Sequence, residues 1–130
     1  MIQRIQSVYL VLAALAVIAV PLAPGLIVPD GWSWYTPVKA AASILIAVGC
    51  LVAIFLYKDR VRQRGLVTLD VWLAAALAVM IIVSTLLAGA LVFSAMWPAL
   101  LSIVAFVLLS LARGAIKKDI ELVRSMDRLR

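Results

Sequence analysis

Residues 71–112 read VWLAAALAVMIIVSTLLAGALVFSAMWPALLSIVAFVLLSLA, 42 consecutive positions without a charged side chain. A helix crosses the roughly 30 Å hydrocarbon core of a bilayer in about 20 residues, so this stretch holds two crossings and a turn. Gly89 and the segment Ser94–Pro98 mark that turn, and Pro98 suits the first turn of the helix after it. Working outward, residues 5–29 and 40–57 are also free of charge, 25 and 18 positions long, and each fits one crossing. Four spans in 130 residues leave no room for a separate soluble domain.

Composition agrees. The chain is 67% apolar and 14% charged, with a mean hydropathy of +1.20, where a soluble domain is about half apolar and a quarter charged. The expected architecture is an all-α, integral membrane four-helix bundle with a C-terminal amphipathic cytoplasmic helix. It forms one membrane domain over 1–130, with spans at about 5–28, 38–57, 70–93 and 97–113 and a tail at 115–130. The first stretch competes with a signal peptide, but Pro21-Leu22-Ala23-Pro24-Gly25 is a poor small-residue cleavage site, so it reads as a retained span. Asp70 stands where the third span begins, placed to cap a helix N-terminus. On that reading no carboxylate lies between the membrane interfaces.

Charge bias sets the expected orientation, because Lys and Arg concentrate in cytoplasmic loops. Arg4, four basic residues at 58–64 and six from Arg113 onward fall on one side, against Lys39 alone on the other. Both termini are therefore expected in the cytoplasm. Trp32, Trp34, Tyr35 and Trp97 would form an outer aromatic belt, with Tyr9, Tyr57 and Trp72 near the inner interface. Asp30 and Lys39 read as solvated loop charges, Lys39 lifting its amine from a helix end to the interface. Of the small-residue pairs that could let helices approach, Gly49/Ala53 and Thr85/Gly89 stand out in a chain so rich in alanine.

The chemistry of catalysis is scarcely represented. The chain has no His and one cysteine, Cys50, which has no partner for thiol exchange. There is no Gly-rich phosphate loop, nucleophile elbow or close carboxylate pair. No enzyme activity, cofactor or metal is expected. The intramembrane hydroxyls of Ser7, Ser43, Ser84, Thr85, Ser102 and Ser110 are suited to bonding a preceding carbonyl of their own helix. The basic loop and tail suit the anionic inner leaflet; nucleic acid would use the same charges, but no stacking residues or binding motif accompany them.

In the tail, Ile116, Ile120, Val123 and Met126 recur at helical spacing while Lys117, Arg124 and Arg128 line another face. This predicts an ordered amphipathic helix at the membrane surface, lying on lipid or docked on protein.

The segments MIQRIQSVYL (1–10), Phe55-Leu56-Tyr57-Lys58-Asp59-Arg60 with Gln63, and the tail with Ala115–Asp119, Glu121–Ser125 and Asp127–Arg130 resemble a known family. It comprises short bacterial membrane proteins catalogued as domain of unknown function four-two-nine-three. The resemblance runs over the whole chain, departs at Gly114 and Ile120, and implies four spans with no assigned activity, cofactor or catalytic residue. All three segments fall on the cytoplasmic side. The candidate interaction face is therefore Gln3, Arg4, Gln6, Lys58, Arg60, Arg62, Arg64, Lys117, Lys118, Arg124 and Arg128, where Arg4 could meet Asp119, Glu121 or Asp127. The expected function is a non-enzymatic scaffold or accessory subunit of the bacterial inner membrane, working through that face. Its partners would be anionic lipids and a membrane protein or a second copy. The alternative is a small oligomeric transporter or channel subunit for an apolar or cationic solute.

Overall fold

A computed structural model describes residues 2–23, 31–89 and 95–129, with side chains from Ile5 onward. Four helices follow in order: α1 (Ile2–Leu22), α2 (Tyr35–Phe55), α3 (Arg60–Leu87) and α4 (Trp97–Arg128). No strand occurs among the described residues. Each helix contains a segment long and apolar enough to cross a membrane. The expected turn residues Pro24–Asp30 and Ser94, and the expected ends of spans one and three, lie outside the described residues.

The helices form a ring in which α1 packs on α2 and α4, and α3 packs on the same two. Each buries a stripe at three- and four-residue spacing. On α1 it is Leu10, Ala13, Val17 and Val20; on α4 it is Ala99, Ala105, Leu109, Ala112 and Ile116. Alanine is the commonest residue in these stripes, which lets helices approach closely where lipid offers no hydrophobic drive to associate. The outward faces stay apolar, with Leu15, Ile44, Leu45, Val79, Leu87 and Leu111 all exposed. Apolar surface continuing around every helix is far more than a water-soluble monomer exposes.

The connection between α2 and α3 is much tighter than the expected basic loop. One 3-10 turn, Leu56–Lys58, leads to Asp59, which caps α3 by accepting the Arg62 backbone N–H at 3.2 Å. Helix α3 therefore begins at Arg60, and Asp70, expected to cap it, lies ten residues inside. The cap works at Asp59 because the 3-10 turn has already reversed the chain there. Gly89 ends α3 in the left-handed conformation (φ 66°), the usual place for glycine just beyond a helix C-terminus. Hence Thr85/Gly89 is no packing pair, whereas both Gly49 and Ala53 are buried on α2. At the start of α4, Pro98 occupies the first turn as expected.

The tail is helical as expected, but as the end of α4, and the expected C-terminal amphipathic cytoplasmic helix is not supported. Helix α4 runs unbroken and largely apolar from Trp97 to Arg128, passing through Gly114 in ordinary helical geometry. A mid-helix glycine costs only about 1 kcal/mol, and buried Ala112 and Ile116 anchor the helix on either side of it. Of the tail stripe, Ile116 is buried and Ile120 half-buried, while Val123 and Met126 are exposed.

Candidate functional site

The interface of α2 and α3 gathers the polar groups least expected in such a bundle. Buried positions on α3 include Gln63, Val67, Asp70, Ala74, Leu77, Ile81 and Ser84, so Asp70 falls on the same inward stripe as the core. Gln63 donates from Nε2 to the Ala53 carbonyl at 2.9 Å. That carbonyl is among the last four of α2, which the helix itself leaves open, so Gln63 acts as a C-cap supplied by the next helix. Two turns further along α3, Asp70 is only 2% exposed and lodges against Gly49. A Cβ built on Gly49 would stand 2.7 Å from Asp70 Cγ, so the carboxyl fills the space that glycine leaves. The Gly49/Ala53 pair is thus the landing face for Gln63 and Asp70 of α3. Asp70 Oδ2 has no hydrogen-bond partner. A buried carboxylate thus lies inside α3, where the sequence had placed it at the helix start.

Lys39 is a second departure. Its side chain is buried (1% exposed) rather than lifted to an interface, and its Nζ has no hydrogen-bond partner. Tyr35, expected in the outer aromatic belt, is fully buried; its hydroxyl lies 2.8 Å from Ser84 Oγ, a hydrogen bond joining α2 to α3. The cross-helix pairs Tyr35–Ser84, Gly49–Asp70 and Ala53–Gln63 fix these helices as antiparallel. In that register Lys39 lies about ten residues, or 15 Å, along α2 from Gly49 and Asp70. The two buried ionisable groups are not a pair. As expected, the hydroxyls of Ser43, Thr85, Ser102 and Ser110 bond carbonyls four residues back.

Trp32 and Trp34 stack at 5.3 Å between centroids. They line one end of an open groove of about 540 Å³ with Trp72, Ala75, Val79 and Val83. Trp72 lies twelve residues into α3, about 18 Å from its start. The positions of Asp70 and Trp72 in the body of α3 have one cause, the ten extra residues at the front of that helix.

The basic candidates collect at one end of the bundle, where α2 turns into α3 and α4 runs out. Arg60 and Asp119 form an ion pair at 2.9 Å tying α3 to α4. Arg62 pairs with its own cap Asp59 at 3.0 Å, and Lys117 reaches Glu121 at 3.8 Å. Lys58, Lys118, Arg124 and Arg128 are exposed, Arg64 is half-buried, and Gln6 is buried with its Nε2 unpartnered. Gln3 and Arg4 belong to α1, but their side chains lie outside the described residues; Asp119 and Glu121, envisaged as partners of Arg4, are paired with Arg60 and Lys117. Among the described residues no group of three or more His, Cys, Asp or Glu could hold a metal ion.

Four antiparallel apolar helices closed around buried polar groups define a compact helical bundle of membrane-spanning dimensions. The chain belongs to the family described as Domain of unknown function (DUF4293), whose match covers residues 30–129 and leaves out the N-terminal segment. No curated protein and no solved structure matches it.

Asp70 and Lys39 were missed because both sit near the ends of uncharged runs, where a charge reads as a boundary. The signal that could have found Asp70 is the spacing Gln63, Val67, Asp70, Ala74, which continues the inward stripe once Asp59 is taken as the cap.

Proposed function

We propose that this is a small, non-enzymatic, multi-pass protein of the bacterial inner membrane, with both termini cytoplasmic, serving as a scaffold or accessory subunit through its basic end. The observation that carries this reading is the reach of α4. It continues nine residues, about 14 Å, beyond the Asp119–Arg60 pair where α3 begins. That projecting segment exposes Leu122, Val123, Met126 and Leu129 alongside Arg124 and Arg128. A membrane-protein partner offering an apolar strip flanked by acidic groups fits it. The cytoplasmic placement rests on the basic residues, 11 of 12 assigned to that end by the sequence, as the positive-inside rule requires.

Photo-crosslinking from positions 122 and 126 in native membranes tests this. A discrete protein adduct, lost when Arg124 and Arg128 become Glu, is the expected result. Lipid adducts alone, with a lone monomer on native-detergent purification, would dismiss the scaffold. The alternative, a small transporter or channel subunit for a cationic solute, draws its support from Asp70, because acids within spans commonly serve ion pathways.

A further inference from the structure

Asp70 lies six residues, about 9 Å along the axis, past Arg64, the last charge α3 carries before it. It is almost wholly buried, its Oδ2 has no donor, and Gly49 opposite supplies the room its carboxyl occupies. The inward faces near this level are apolar: Leu10, Ala13 and Val17 on α1, Val67 and Ala74 on α3, and Leu109 and Ala112 on α4. The titratable and charged groups these elements bring nearest are Cys50 on α2, Tyr9 on α1, half-buried Arg113 on α4 and half-buried Arg64 on α3 itself; none bonds Oδ2. An ionised carboxylate left alone in such surroundings is costly, and acids kept within spans commonly have a function.

A cation can offset that cost. A metal ion needs several oxygen ligands, about six to eight for calcium, and no metal-holding cluster occurs among the described residues. A proton needs one lone pair. We propose that Asp70, cradled by Gly49, is a reversible proton-binding site within the membrane span. Binding forms one O–H bond on the carboxylate and cancels its charge; release breaks that bond and returns the proton to water, with no other atom or electron exchanged. Asp70 lies ten residues from the start of α3 and seventeen from its end, so the basic end is the shorter route to water. The site stands independently of the scaffold reading, since it needs no partner protein.

The full chain in neutral-lipid vesicles is treated with dicyclohexylcarbodiimide, an apolar reagent that adds to protonated carboxyl groups, and adducts are located by mass spectrometry. The expected result is an adduct on Asp70 whose yield falls about tenfold per pH unit on the alkaline side, the slope of one proton. Sodium or potassium leaves it unchanged. Asp70→Asn loses it, while exposed Glu121 still reacts with a water-soluble carbodiimide. No adduct on Asp70 at any pH, a pH-independent adduct, or protection by sodium or potassium overturns the proposal. Should Asp70→Asn fail to fold, the pH and salt dependence of the wild-type adduct decides the question.

Discussion

Replacing Gly49 by alanine probes the closest approach between α2 and α3. Two effects of opposite sign meet there. The new Cβ would fall on the Asp70 carboxyl, whose short, buried side chain has little room to rotate; overpacking of this kind costs about 1–3 kcal/mol. Alanine is also the better helix former, by about 1 kcal/mol. The net expectation is a loss of up to about 2 kcal/mol in the wild-type chain. In an Asp70→Ala background the carboxyl is gone, the Cβ enters vacated space, and the same substitution gains up to about 1 kcal/mol. The coupling between the two sites is thus about 1–3 kcal/mol, within the range of directly contacting residues. Reversible unfolding in mixed micelles, followed by circular dichroism for the four variants of the cycle, measures it. An effect of the same sign and size in both backgrounds would refute the contact between Gly49 and Asp70.

Four further outcomes are expected from the same unfolding assay. Arg60→Asp lowers stability by about 1 kcal/mol, discounted for the partial exposure of the pair, and adding Asp119→Arg restores most of it. Tyr35→Phe and Ser84→Ala each cost about 0.6–1.7 kcal/mol, and together little more than either alone, because they share one hydrogen bond. Lys39→Met keeps the length of the side chain and removes a buried amine without a partner, so stability rises by about 1 kcal/mol or more; a clear loss would reveal a partner for Nζ. Ile116→Asp should cost about 3 kcal/mol or more, whereas Val123→Ser and Met126→Ser stay within about 0.5 kcal/mol yet weaken crosslinking from α4.

The pattern of these expectations follows where sequence and structure part. Helix number was legible because apolar run length answers to bilayer thickness, a constraint written residue by residue. The hydroxyls were legible too, since Ser43, Thr85, Ser102 and Ser110 find acceptors in their own helix four residues back. Helix starts were harder, as Asp59 and Asp70 are both plausible caps by composition. Only the 3-10 turn at Leu56–Lys58 selects Asp59. That choice carries Asp70 and Trp72 into the body of α3. The distal half of α4 illustrates the converse: its periodic stripe is visible at 116, 120, 123 and 126, yet what covers a stripe depends on what lies beside it. Within the chain only Ile116 and, in part, Ile120 find cover.

By itself, then, the sequence determined four apolar helices, a strongly basic balance and a chain poor in catalytic side chains, because these depend on composition and local spacing. Tertiary structure alone decided that Asp70 meets Gly49, that Gln63 closes the end of α2, that Lys39 is buried and that Arg60 ties α3 to α4. Those facts join residues from different elements or depend on packing between them. No rule of local spacing encodes them, since they exist only once the antiparallel register of the helices has been set by packing.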